Sequence, residues 1–186
     1  KVGDWIEIKD CNINGNVTAV TMTTVKIRNF DNSISTIPPY KLISEPFQNW
    51  SGIEKYGGRQ ARLKIFIDVN SINFANASLI ERLTNNGLLT NEDTKTEYNN
   101  ITNITLYRKF IENFLRENPS VDTSRWLMVR QIQNTAQGIP LEMYFYIKET
   151  NFVKYENTVA EIYEYCIASS KHFELQIFQS LTSTTN

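Results

Sequence analysis

At 186 residues the chain has room for one sizeable domain or two small ones, and 41% hydrophobic and 12% aromatic residues exclude disorder over most of it. Nineteen basic residues against 20 acidic ones leave a formal charge of −1, which excludes a broad electrostatic attraction to nucleic acid. One histidine, His172, and two distant cysteines, Cys11 and Cys166, leave almost nothing from which to assemble a Cys/His metal site or a Cys–His nucleophile pair.

Both cysteines therefore read as reduced structural thiols, and His172 as a helix-end residue. No stretch approaches the ~18 consecutive apolar residues of a membrane span. There is no initiator Met and no signal-peptide pattern, and Lys1 stands in what reads as the approach to a strand. The chain is expected to be a piece of a longer protein.

Residues 1 to about 50 carry short β-type runs. Gly3-Asp4 precedes a strand in which Ile6 and Ile8 share one face. Asn14-Gly15 predicts a tight turn, and residues 17–22 a β-branched strand. In residues 24–29, Val25 and Ile27 alternate with Lys26 and Arg28; Asp31-Asn32 then turns the chain into residues 33–37. Pro38-Pro39 ends that run, because neither residue can donate to a ladder. A helical turn over 40–44 and a short strand over 47–50 complete four or five strands, which predict a small, strongly bent all-β barrel.

Residues 51–58 (SGIEKYGG) read as a linker between an all-β domain, 1–58, and a second domain, 59–186. In the second, residues 61–69 alternate Leu63, Ile65 and Ile67 with Arg62, Lys64, Phe66 and Asp68. Residues 75–83 are helical and stop at Asn85-Asn86-Gly87, and 88–101 are a polar loop. Tyr107, Phe110, Ile111, Phe114 and Leu115 recur at helical steps within 102–118, before Pro119. Strands over 126–133 and 142–148 are joined through Gly138-Ile139-Pro140. A helix over 151–172, capped by Thr150 or Asn151, carries Phe152, Tyr155, Val159, Ile162, Tyr163, Cys166 and Ile167 on one stripe. A strand over 175–179 follows, and 180–186 reads as frayed. This order predicts an α+β ferredoxin-like domain with helices on one face of a mixed sheet.

Chemistry is scarce. No phosphate loop, dinucleotide fingerprint or nucleophile elbow occurs. Gly57-Gly58-Arg59 precedes a strand rather than a helix and reads as a hinge, not an anion cradle. Glu161 and Glu164 read as solvated helix acids, since no second environment splits their pKa values. Trp5, Trp50 and Trp126 could stack bases, but spacing assigns most of the aromatic residues to the core. Lys26, Arg28 and Lys41 form only a modest basic cluster. The residues point to a structural or interaction role without catalytic constellation, metal or cofactor.

An ordered set of short motifs adds to this reading. Val2-Gly3-Asp4-Trp5-Ile6-Glu7-Ile8, Gly15-Asn16-Val17, Thr23-Thr24-Val25-Lys26-Ile27-Arg28, Asn32 and Thr36-Ile37-Pro38 together resemble the β-domain of the small-conductance mechanosensitive channel (MscS) family. Phe47-Gln48-Asn49-Trp50-Ser51-Gly52, Gly57-Gly58-Arg59, Met128-Val129-Arg130-Gln131 and Gly138-Ile139-Pro140-Leu141-Glu142 carry the resemblance on, toward the YbdG-like miniconductance branch. The chain departs from the wider family at Pro39, which stands where an Asn is common.

The resemblance implies an Sm-like barrel followed by the ferredoxin-like domain, together forming the cytoplasmic vestibule of a tension-gated channel that releases solutes on hypo-osmotic shock. It implies Gly3, Asp4, Gly15, Thr24, Arg28, Ile37, Pro38, Trp50, Arg130, Gln131 and Pro140 as scaffold residues rather than catalytic ones. The implied partners are further copies of the chain in a heptamer, a bacterial inner membrane reached through spans outside this chain, and permeating ions and small solutes, with no nucleic acid. An Sm- or OB-like module binding RNA or peptide is the competing expectation, and a small ferredoxin-like hydrolase a third.

Overall fold

Alternating β-branched residues shape the first third of the molecule. A computed structural model describes residues 1–90, 92–95 and 100–180, and the chain divides into two compact units, Lys1–Gly57 and Gly58–Asn186. In the first unit, β1 (Trp5–Ile8), β2 (Ile13–Val20), β3 (Val25–Asn29), β4 (Ile34–Ile37) and β5 (Gln48–Asn49) form one antiparallel sheet in the order β4-β3-β2-β1-β5. Two short helices, α1 (Lys41–Ser44) and α2 (Gly52–Tyr56), flank β5.

The core of this unit is Ile6, Ile8, Ile13, Val17, Val25, Ile27 and Ile37, every one β-branched and suited to a pleated surface. Partly buried Cys11 and Leu42 of α1 are, among the described residues, the hydrophobic side chains that pack on it from outside the strands. Among the described residues β4 and β5 do not pair with each other, and the sheet keeps two edges.

One sequence expectation fails here for a physical reason, and another gains detail. Asn14-Gly15 is not a turn: both residues lie inside β2, and the reversal is made by a 3-10 turn over Lys9–Cys11 with Asn12 at φ 51°. Gly15 answers a different need, because a Cβ there would come within 2.1 Å of the Arg28 carbonyl oxygen across the ladder. The expected linker over 51–58 contains α2 and ends with Gly57 at φ 67° and Gly58 at φ 74°, so only the glycine pair is non-helical in character.

The second unit runs β6 (Arg59–Ile67), α3 (Ala77–Asn85), α4 (Asn103–Glu117), β7 (Met128–Gln131), β8 (Ile139–Ile147) and α5 (Phe152–Ser169). Its helices begin where local hydrogen bonding favours them: Asn76, Thr102 and Asn151 each accept from the backbone N–H three residues on. The sheet, in the order β6-β8-β7, is antiparallel throughout rather than mixed. The expected strand over 126–133 shortens to β7. That over 142–148 begins earlier, at Ile139, so Pro140 lies inside β8, where its carbonyl accepts from Ile132. The expected final strand reduces to an Ile67–Ile177 bridge beside β6, with Asp68 N donating to Gln176 O and Phe178 N to Phe66 O, both at 2.8 Å.

One face of this sheet carries Ala61, Ile65, Ile67, Leu141, Met143, Phe145 and Ile147, all buried in one cluster with residues of α3, α4 and α5. The helices therefore form a single layer on that face. Part of the expected loop over 88–101 (residues 91 and 96–99) and the expected frayed end over 181–186 lie outside the described residues.

Candidate interaction surfaces

The motif residues of the first unit hold its strands together. Gly3, at φ 93°, donates its N–H to Val17 O at 2.8 Å, and Val17 N returns a bond to Asp4 O at 2.9 Å. The carboxylate of buried Asp4 accepts from Asn49 Nδ2 at 3.0 Å and so ties the start of β1 to β5. Thr24 closes the β2–β3 turn through its carbonyl, which accepts from Thr21 N at 2.8 Å, and through a hydroxyl pair with Thr21. Arg28 projects outward from β3 opposite Asn16 and Ile34, whereas Ile37 points into the core. Pro38 accepts from Lys41 N as the chain turns into α1.

The tryptophans overturn the expectation of core packing. Trp5 and Trp50 lie on the outer side of β1, opposite Ile6 and Ile8, with ring centroids 5.6 Å apart, and Phe30 meets Trp5 edge-on at 5.2 Å. Each indole N–H is committed: Trp5 Nε1 donates to Asn14 Oδ1 at 2.7 Å, and Trp50 Nε1 to Glu7 Oε2 at 3.1 Å. A carboxylate at the centre of this cluster opposes a nucleic-acid backbone. Trp126 is 78% exposed, also outside the core.

On the second unit's outer sheet face, Glu142 is fully buried although its strand neighbours on that face are polar. Register explains it: Glu142 of β8 stands between Lys64 of β6 and Arg130 of β7. Arg62 Nε reaches Oε1 at 2.7 Å, Arg130 Nε reaches Oε2 at 2.7 Å, and Lys64 Nζ lies 3.9 Å away. Burial pushes the Glu142 carboxyl up, but the two guanidiniums outweigh it and hold the group below its ordinary value. Three cations and one anion leave this face net positive. Tyr144 and Tyr146 extend it, both accepting from Gln60 Nε2, and Arg125 lies 5.0 Å over the Tyr146 ring. Gln131 ends β7 exposed, opposite Leu141.

The rim of the sheet is closed on the β6 side. Tyr155 Oη donates to Gln60 O at 2.8 Å and Tyr163 Oη to Lys64 O at 2.7 Å, so two outward carbonyls of the edge strand are capped from α5. Arg59, next to the glycine pair, makes no anion cradle: its guanidinium lies over Phe152 and Tyr155 and donates to Thr150 O.

Sequence reasoning missed Asn103. It is 1% exposed, donates to Ser71 O at 2.9 Å and Phe173 O at 3.1 Å, and accepts from Asn73 N at 3.0 Å. Only its place directly after a helix cap, among apolar residues, hints at this. A cavity of about 170 Å³ opens beside Phe110, Phe114 and Tyr165, but the Asp93 carboxylate on its wall is already engaged by Thr90 and Asn113. Among the described residues no group of three or more His, Cys, Asp or Glu could hold a metal ion, and no helix is long and apolar enough to cross a membrane.

Comparison with known proteins adds two findings. Residues 1–52 match the family model described as "Mechanosensitive ion channel, beta-domain". The whole chain is similar in fold to MSL1 of Arabidopsis thaliana (TM-score 0.68, 14% identity, 97% of this chain and 53% of that one). It is likewise similar to MscS of Helicobacter pylori in its closed state (TM-score 0.63, 14% identity, 100% of this chain and 59% of that one). The chain thus spans between half and three-fifths of the length of these two proteins.

Proposed function

From the β-domain of the mechanosensitive ion channel (MscS) family, which this chain carries over residues 1–52, we infer that the chain is a wall segment of a tension-gated channel's vestibule. The β-domain match is the observation that carries this reading, and the fold shared with MSL1 and MscS over nearly all of the chain supports it. In this reading the first unit is an Sm-like barrel, and the second a ferredoxin-like domain whose 176–178 segment stands in for a fourth strand. The boundary falls at the glycine pair, with domains 1–58 and 59–186.

Seven copies surround one axis. The parent protein sits in a bacterial inner membrane with this portion facing the cytoplasm, and it releases solutes on hypo-osmotic shock. The YbdG-like miniconductance branch is the proposed placement within the family. A wall of this kind needs surfaces that meet further copies and a wet face toward permeating solutes, rather than a catalytic pair. A charge of −1 on each copy repels neither sign of ion strongly. The motif residues fit a scaffold role: Gly3, Asp4 and Trp50 fasten the two ends of the β-domain, Gly15, Thr24, Arg28, Ile37 and Pro38 shape its sheet, and Arg130, Gln131 and Pro140 order β7 against β8.

The test is electrical. The parent gene, expressed in bacteria deprived of their own tension-gated channels, should give a current activated by membrane stretch and restore survival of hypo-osmotic shock. Patches without any stretch-activated current, together with unchanged survival, would overturn the reading.

A further inference from the structure

The second unit carries a basic patch on its sheet and a local acidic stretch on α5, where exposed Lys154 is outnumbered by three glutamates. On the sheet side, Arg62, Lys64 and Arg130 have side chains 54%, 44% and 44% exposed, and share the single buried acid Glu142. On the helix side, Ile162 and Cys166 turn α5 into the core, while Glu156, Glu161 and Glu164 are exposed and stand in no ion pair among the described residues. Other acids of this unit are already engaged, as Glu112 is with Arg116, Asp122 with Arg125, and Glu174 with Arg82. The remaining helices carry one exposed acid apiece without an ion pair, Glu81 on α3 and Glu117 on α4; α5 concentrates three.

Ala160 and Ala168 lie on the same side of α5 as Glu164, at four-residue steps, and keep that side shallow enough for a close approach. Exposed Trp126, just before β7, offers a large apolar contact near the opposite, basic face.

We propose that the basic sheet face of one copy receives the acidic outer side of α5 from a second copy, with Lys64 meeting Glu161 and Glu164. Charge complementarity selects this occupant: the two faces belong to one unit, lie on opposite layers and carry opposite net charge. Such a contact is heterologous, so each copy offers one donor face and one acceptor face, and the association closes into a ring when the rotation permits. Buried Glu142 sets the geometry by holding Arg62 and Arg130 side by side, which leaves Lys64 the cation freest to reach across. Net attraction between two exposed patches is modest and falls with salt.

This inference rests on the reading of the chain as one wall segment of a ring, but the two fail separately. Light and heavy-isotope copies of the chain are mixed and treated with a carbodiimide, which joins a carboxylate to an amine only where they already touch. Links between Lys64 of one isotope and Glu161 or Glu164 of the other are expected. Glu161→Lys with Glu164→Lys should weaken self-association by more than about tenfold. Adding Lys64→Glu to that pair should restore it, while circular dichroism confirms that every variant folds. A chain that stays monomeric, mixed-isotope links that avoid Lys64, or a double variant that associates unchanged would each overturn the proposal. Stretch-activated current without this contact would leave the channel reading standing and sink this one; the contact in a protein without such current would support this one alone.

Discussion

Arg130 directs two nitrogens at one oxygen of Glu142, Nε at 2.7 Å and a terminal nitrogen at 2.6 Å from Oε2, and leaves Oε1 to Arg62. A carboxylate with no exposure is thereby satisfied from two flanking strands, by guanidiniums that remain about half in water. Replacing it with the neutral isostere, Glu142→Gln, removes the charge but not the volume. Since both partners can rehydrate, the loss should fall between that of a surface pair and a buried one, about 1–3 kcal/mol, read from denaturant midpoints. A midpoint unchanged from the parent chain would show that the cluster contributes nothing to stability.

The same group gives a pH signature. Its carboxyl is held below the ordinary value of 4.5, so its contribution is complete above that pH and is lost as the pH falls through the lower folded value. Acid titration of stability should therefore drop below about pH 4.5, and the Glu142→Gln variant should show a shallower drop. Parallel curves would remove Glu142 from the account.

Asn103 joins three backbone groups, of which the Ser71 carbonyl has a second, longer side-chain donor in Asn73 Nδ2 at 3.4 Å. Asn103→Ala leaves the Ser71 and Phe173 carbonyls without its amide and Asn73 N without its oxygen, at a cost of about 2–4 kcal/mol. Hydrogen exchange should quicken first around residues 71–73 and 173. Exchange unchanged there would mean that water replaces the amide without loss.

Gly15→Ala places a methyl group 2.5 Å from the Asn29 Cα and closer still to the Arg28 carbonyl, both of them backbone that cannot rotate away. The two strands must separate, at a cost of about 1–3 kcal/mol or more. Trp5 and Trp50 fluorescence should report an earlier unfolding of the first unit. An unshifted transition would show that β2 and β3 can part at little cost.

Burial pushes the Cys166 thiol up to about 12 from 9.0, whereas Cys11 is only partly buried. A thiol reagent at neutral pH should label Cys11 in the folded chain and reach Cys166 only after unfolding. The stability held by the protonated thiol is complete below pH 9 and declines as pH climbs toward 12, so Cys166→Ala should soften the alkaline loss. Rapid labelling of both cysteines in the folded chain would contradict the burial.

The layers and most helix limits were legible because they rest on local rules. Alternating Ile and Val mark β1 and β3, and Asn151 announces α5 through capping chemistry. What stayed hidden depends on pairing across the sheet. Glu142 reads as an ordinary outward strand residue until register sets Lys64 and Arg130 on either side of it. Asn14-Gly15 has the composition of a turn, and only the approach of Arg28 explains a glycine within a strand. Spacing assigns most of the aromatic residues to the core, yet seven β-branched residues already fill that small interior, and the indoles of Trp5 and Trp50 lie outside with bonded N–H groups.

The hydroxyls of Tyr155 and Tyr163 on the β6 rim bear on how the molecule tolerates crowding. A bare edge strand invites any neighbouring chain to extend the sheet, which is how fibrils begin. With one rim capped by phenols and the 176–178 segment, and β7 only four residues long at the other, the second unit's sheet offers a neighbouring chain side chains rather than bare backbone, unlike the first unit's sheet with its two edges. Side-chain contacts can be made, broken and remade in a fixed register, whereas fused sheets cannot.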